Sequence, residues 1–203
     1  MKFFFFLVLI PFIAQAKNFV PSSFSSSFEE SFVSSATGKE KKSFGKIDYK
    51  YPAQIKLEKT SPEPSTFVSN AEKSWYYVPA FVSGEEGQVT IQKSSNLPLT
   101  KFLDSIRSGI ENSKMFTHKY DGKKLILSFL PAVQKEMTLK EVILETSKDA
   151  KASEKLSDFE RMSLHYLNGQ KVNLKFVDLK EEVSFPANHF IFVVPPKTKV
   201  TGN

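Results

Sequence analysis

From Gly45 onward the chain is cut into short runs in which apolar and polar residues alternate, and this period-two pattern confines most of it to β-sheet with one wet face. In Gly45-Lys46-Ile47-Asp48-Tyr49-Lys50-Tyr51 the apolar Ile47, Tyr49 and Tyr51 alternate with Lys46, Asp48 and Lys50. Ile55 and Leu57 alternate with Gln54, Lys56 and Glu58 in the same way, and Pro52 between the two runs marks a bend, since proline cannot donate a ladder hydrogen bond. Trp75 and Tyr77 share a parity that places both on one face of their strand, which Pro79 ends.

Strand-like runs recur at residues 43–51, 54–59, 66–69, 74–78, 88–92, 116–120, 124–130, 139–146, 162–167, 171–178 and 190–194. Asp121-Gly122 and Asn168-Gly169 sit between such runs and are strong hairpin signals. About eleven strands joined by short turns predict a mainly β chain of α+β type, in which one antiparallel sheet curls into an incomplete barrel. One helix is well marked: Leu99, Phe102, Leu103, Ile106 and Ile110 form a single stripe, and Pro98 suits its first turn. Phe24, Phe28 and Phe32, spaced four apart, suggest a second amphipathic helix.

Met1-Lys2, the apolar run Phe3 to Ile13 and Ala14-Gln15-Ala16 have the layout of a secretory signal peptide, so residues 1–16 are expected to be cleaved and 17–203 to form a single exported domain. The apolar run is shorter than the roughly 20 residues that span a bilayer. The sequence has no cysteine, so neither a disulfide nor a lipid on a cysteine is available, and the fold must rest on its core. Without Lys2 the 27 basic and 22 acidic residues leave a net charge of +5, spread along the chain. Lys39-Glu40-Lys41-Lys42 has mixed sign and reads as a solvated turn; no nucleic-acid partner is expected.

Signs of catalysis are missing. His118, His165 and His189 have no metal-ligand spacing, and there is no Gly-x-Ser-x-Gly elbow, cysteine nucleophile or phosphate loop. Glu29-Glu30 and Glu85-Glu86 are adjacent pairs that point different ways and read as solvated. No enzyme activity, cofactor or metal is expected.

The run from about Phe24 to Val200 resembles the outer-membrane lipoprotein carrier (LolA) family. The likeness rests on Phe24 with Phe28, on Gly45 followed by Lys50-Tyr51-Pro52, and on Ser69-Asn70 followed by Trp75-Tyr76-Tyr77-Val78-Pro79. It continues in Leu97-Pro98-Leu99 with the helix after it, in Asn168-Gly169-Gln170, and in Phe190-Ile191-Phe192-Val193-Val194-Pro195-Pro196. The resemblance implies a half-barrel covered by a small helical lid, which shields the acyl chains of lipoproteins in the periplasm. It implies Ile47, Tyr49, Ile55, Leu57, Trp75 and Tyr77 as the sheet-side wall and Leu99, Phe102, Leu103 and Ile106 as the lid face, against the alternative that each is ordinary core.

The implied partners are acylated lipoproteins, an inner-membrane ABC-type release complex and an outer-membrane acceptor, with the carrier itself a monomer. Three departures accompany the likeness. Tyr51 stands where the family has an arginine tied to lid closure and cargo release, Ile55 replaces a phenylalanine and Leu57 a tryptophan. Tyr51 is thus the implied lid and release contact. Only Lys17 to Ser23 precede Phe24, so the family's long first helix is expected to be shortened or missing. The departures leave room for an alternative, a periplasmic protein of the same fold that binds another lipid or senses mislocalised lipoproteins.

Overall fold

A computed structural model describes residues 18–34, 37–82, 84–93, 97–111 and 113–202. The expected signal peptide lies outside the described residues. The first seven strands and helix are β1 (Ser23–Val33), β2 (Glu40–Lys50), β3 (Gln54–Ser61), β4 (Ser65–Ser69), β5 (Lys73–Val78), β6 (Gly87–Lys93), α1 (Pro98–Ser105) and β7 (Phe116–Asp121). They are followed by β8 (Lys124–Phe129), α2 (Pro131–Met137), β9 (Leu139–Glu145), β10 (Arg161–Tyr166), β11 (Lys171–Glu181) and β12 (Thr198–Gly202). Twelve strands make one sheet in the order β12-β6-β5-β4-β3-β2-β1-β11-β10-β9-β8-β7. It does not close, and β7 and β12 are its edges.

The architecture is the mainly β incomplete barrel that the alternation predicts, with three differences. Phe24, Phe28 and Phe32 lie on strand β1, not on a helix. A spacing of four fits either period, and the serines between these phenylalanines favour the strand because they compete for backbone hydrogen bonds inside a helix. Residues 190–194 are not a strand. The chain there is irregular, and the last strand is β12, which pairs parallel to β6 and makes the sheet mixed. Helix α2, of seven residues, has no counterpart among the expected elements; Pro131 opens it and Lys101 of α1 reaches its Glu136 at 3.5 Å.

Register fixes which side chains share a face. Tyr49 pairs with Phe24 and Ile55, Ile47 with Leu57, and Leu57 with Phe67. Leu125 and Leu127 of β8, Val142 and Leu144 of β9, and Met162 and Leu164 of β10 pair with one another on that same inner face. All of these residues join one core cluster with Leu99, Phe102, Leu103 and Ile106. Helix α1 therefore lies inside the curl and touches both halves: Tyr49 of β2 reaches its Asp104, and the Phe102 ring meets Phe129 of β8 edge-on at 6.2 Å.

Gly45 serves the curl at the β1–β2–β3 junction. A Cβ there would stand 2.1 Å from the Glu58 carbonyl oxygen and 2.8 Å from the Phe28 ring, which lies over the glycine.

After β11 the chain passes behind the sheet. Phe190 plugs a second, smaller core on the outer face with Val68, Trp75 and Val89, and Phe192 stacks on Tyr77 at 5.3 Å. Two polar contacts hold this strap: Asn70 Nδ2 donates to the Phe190 carbonyl at 3.1 Å, and His189 Nε2 lies 2.8 Å from Asp48 Oδ2. Asp48 is 1% exposed. Burial alone would raise its pKa, but hydrogen bonds from Ser25, His189 and Lys46 outweigh burial and hold the carboxyl below its ordinary value.

Candidate functional site

The inner face and helix α1 bring together eight of the residues singled out in the sequence. Ile47, Tyr49 and Ile55 are buried and Leu57 is half-buried against the cluster, facing the buried Leu99, Phe102, Leu103 and Ile106 of the helix and its C-cap. The amphipathic stripe thus docks on the wall it was expected to cover. Trp75 and Tyr77 are not part of that wall. Trp75 pairs with Val68 and Ile91, and Tyr77 with Thr66 and Val89, which puts both on the outer face under the strap. The inner-facing residue of β5 is Tyr76, opposite Phe67. In Trp75-Tyr76-Tyr77 every position is aromatic, so the parity shows which residues go together but not which face they take.

Polar contacts fasten the helix to the β2–β3 hairpin. The Tyr49 hydroxyl donates to Asp104 Oδ1 at 2.6 Å, and the Ala53 amide donates to Asp104 Oδ2 at 3.0 Å. Burial pushes the Asp104 carboxyl above its ordinary value, and the hydrogen bonds from Tyr49 and Ala53 and the charge of Arg107 offset only part of that. Tyr49 is pushed up as well, first by burial and then by Asp104.

Just after the helix, the Arg107 guanidinium lies 4.5 Å from the centre of the Tyr51 ring, and its Nη2 donates to Ser22 Oγ at 2.9 Å. The Arg107 carbonyl accepts the Phe19 amide at 2.8 Å. Tyr51 therefore meets the segment after α1 through the face of its ring, and the cation of the pair comes from that segment.

Beside the helix the apolar space is small. A cavity of about 240 Å³ lies between the sheet and the start of α1, lined by Phe28, Leu57, Phe67, Leu99, Leu164 and Leu174 among others. Residues from β3 to β5 and from β10 and β11 line it together, which shows how far the sheet curls. Among the described residues no group of three or more histidine, cysteine or carboxylate side chains is placed to hold a metal ion. Each histidine instead meets one carboxylate: His118 Glu111 at 3.4 Å, His165 Glu141 at 3.2 Å, and His189 Asp48. No described helix is long and apolar enough to cross a membrane.

The family model described as outer membrane lipoprotein carrier protein LolA matches residues 21–193. The chain belongs to the LolA family. It is a family of carriers rather than enzymes. This LolA-family chain is 28% identical over 160 residues to an outer-membrane lipoprotein carrier protein of Pseudomonas paraeruginosa, covering 77% of this chain and 70% of that one. A carrier of the same description from Pseudomonas aeruginosa matches equally. An uncharacterised conserved protein of Thermus thermophilus shares the fold, with a TM-score of 0.50 at 11% identity over 90% of this chain and 91% of that one. Within the LolA family the Tyr51–Arg107 arrangement is notable, because the resemblance expects the cation on the hairpin.

Two features of the site escaped sequence reading. Glu30, expected to be solvated, points inward beside Lys59 and Ser43, while Glu29 faces outward and meets Lys42 at 3.5 Å. The Asp48–His189 contact joins residues 141 positions apart, and no local pattern signals it.

Proposed function

We propose that this protein is a periplasmic carrier that takes up the acyl chains of lipoproteins released from the inner membrane and delivers them to the outer membrane. One observation carries the reading: the apolar stripe of α1 stands on an apolar concave wall, where it can be exchanged for acyl chains. Acyl chains gain about 0.8 kcal/mol per methylene by leaving water, so they cannot cross an aqueous compartment uncovered. The apolar cavity beside α1, about 240 Å³, is below the roughly 300–1,000 Å³ of ordinary small-ligand pockets, and the adjoining space of about 450 Å³ is lined by Lys41, Lys42 and Glu63, so shielding two or three acyl chains requires the helix to move.

The helix is suited to this. At eight residues it is too short to be stable without the wall beneath it, and its hold on the hairpin depends on Asp104 and on the Tyr51–Arg107 contact. Ile47, Tyr49, Ile55 and Leu57 then serve as the acyl-binding wall, Leu99, Phe102, Leu103 and Ile106 as the face that acyl chains displace, and Tyr51 as the release contact. In this reading residues 1–16 direct export and are removed, and 17–203 are the mature carrier, which acts as a monomer. An inner-membrane ABC-type complex loads it, and an outer-membrane acceptor of higher affinity unloads it.

The test is release of newly made lipoproteins from spheroplasts by the purified mature protein, followed by native mass spectrometry of the soluble fraction. A one-to-one complex with acylated lipoprotein supports the carrier. Absence of such a complex, with the protein instead co-purifying with a membrane-bound regulator, overturns it in favour of a sensor.

A further inference from the structure

The inner face carries one ion pair that the core does not need. Glu30 of β1 and Lys59 of β3 both point into the curl, with side chains 14% and 32% exposed, and their charged ends meet directly. Ser43 Oγ donates to the same carboxylate oxygen, Oε2, at 2.6 Å. Both recorded partners of Glu30 thus use Oε2, which leaves Oε1 as a free acceptor among the described residues.

The position of the pair is what gives it meaning. Glu30 and Lys59 line the apolar cavity of about 240 Å³ beside Phe28, Leu57 and Phe67. Lys59, with Ser65 and Tyr76, also lines a second space of about 450 Å³ whose rim bears Lys41, Lys42 and Glu63. The two spaces share Lys59, Ser65 and Tyr76 in their linings, so a charged vestibule adjoins the pair on one side and a wall of hydrocarbon on the other. Burial and the Glu30 charge together push the Tyr166 hydroxyl up, as expected for a carboxylate that faces the cavity.

An ion pair beside an apolar cavity is costly, because desolvation offsets most of the attraction and apolar residues of similar size would serve stability as well or better. What it provides instead is one strong acceptor and one strong donor at the depth where hydrocarbon ends.

We propose that Glu30 and Lys59 form a polar anchor for the linkage region of an acylated cysteine. The Glu30 carboxylate accepts the amide N–H next to the lipidated residue, and the Lys59 ammonium donates to an ester or amide carbonyl. The acyl chains then lie inward and the polypeptide leaves through the vestibule. This rests on the carrier reading and adds to it a means of selection: free hydrocarbon fills the cavity but leaves the pair unanswered, whereas a lipopeptide satisfies both charges.

The experiment compares two fluorescence-monitored probes, a synthetic peptide carrying an N-acyl, S-diacylglyceryl cysteine and diphenylhexatriene, a hydrocarbon without polar atoms. The variants are Glu30→Gln, Lys59→Met and the double change Glu30→Leu/Lys59→Met, which replaces the pair by apolar side chains of similar size and keeps the fold testable. Hydrogen bonds to charged groups are strong enough that each single change is expected to weaken lipopeptide binding about tenfold or more. The double variant is expected to bind diphenylhexatriene as well as or better than the wild type while still binding lipopeptide poorly.

Equal lipopeptide affinity in the wild type and the double variant would overturn the anchor while leaving the carrier reading intact. Parallel loss of both probes in the double variant would also overturn it, since the pair would then serve only the shape of the cavity. A wild-type protein that binds neither probe would overturn the carrier reading itself.

Discussion

The Tyr49 hydroxyl donates to Asp104 at 2.6 Å, and this bond ties the centre of the sheet to the helix that covers it. The same carboxylate also takes the Ala53 amide, so one acidic side chain on a short helix gathers both the strand and the turn of the β2–β3 hairpin. Tyr49→Phe removes one bond and keeps the packing of the ring against Phe24, whose centre lies 5.2 Å away. The loss of a hydrogen bond to a charged group should lower stability by about 1.5–3 kcal/mol in urea denaturation. If the bond also holds the lid, the affinity for diphenylhexatriene should rise in the same variant, because less energy is then required to move the helix. Destabilisation without any change in probe binding would place the bond in the fold alone.

The Tyr51–Arg107 contact makes a different demand. It runs through the ring face, so Tyr51→Phe should leave stability and lid opening close to the wild type, while Tyr51→Leu should remove about 0.5–1 kcal/mol of cation–π attraction at this partly exposed site. Hydrogen exchange of the α1 amides reads the difference directly: faster exchange in Tyr51→Leu than in Tyr51→Phe is expected. Equal exchange in both would remove Tyr51 from any role in holding the lid.

Gly45 is required by its neighbours rather than by its own backbone. A methyl group at this position meets the Glu58 carbonyl and the Phe28 ring at distances no packed atom tolerates, so either β3 or the phenylalanine must shift. Gly45→Ala should therefore destabilise the protein by about 1–3 kcal/mol, seen as a lower midpoint in thermal unfolding. The companion change Phe28→Leu should recover part of the loss if the ring is the obstacle, and none if the carbonyl is.

Much of this fold could be read from the order of residues, and the exceptions have physical causes. Ile47, Tyr49, Ile55 and Leu57 alternate with charged neighbours, so their common face follows from burial alone. Leu99, Phe102, Leu103 and Ile106 repeat at the helical period and dock as one stripe. Trp75, Tyr76 and Tyr77 offer both faces of β5 an aromatic residue, and only the pairing of Phe67 with Leu57 and Tyr76 settles which one turns inward. The run Phe190 to Val194 is apolar without alternation, and it is a strap because two rings, Phe190 and Phe192, find an outer-face core and a stacking partner that no local rule reveals. Glu30 looked solvated beside Glu29, yet its inward parity on β1 brings it against Lys59.

Two buried carboxylates should give the protein opposite responses to acid, and the strap supplies the clearer one. Asp48 sits below its ordinary value of 3.8, so the folded state binds its proton less readily than the unfolded chain does. Its contribution to stability is fully present above about pH 4 and is lost as the pH falls below that, through the lowered folded value. Asp104 lies above 3.8, so the charged form is disfavoured in the folded state, and its effect on stability is most favourable at or below about pH 4 and fades as the pH rises. Asp48→Asn should therefore cost most at pH 7 and least near pH 3, whereas Asp104→Asn should be least costly at pH 7 and become relatively worse toward pH 4. Urea unfolding of both variants against the wild type at each pH decides the matter. Phe190→Ala, which empties the outer core at a cost of about 3–5 kcal/mol, shows what loosening the strap costs when the carboxylate itself is kept. If the cost of Asp48→Asn is the same at pH 7 and pH 3, the carboxylate does not fasten the strap through its charge.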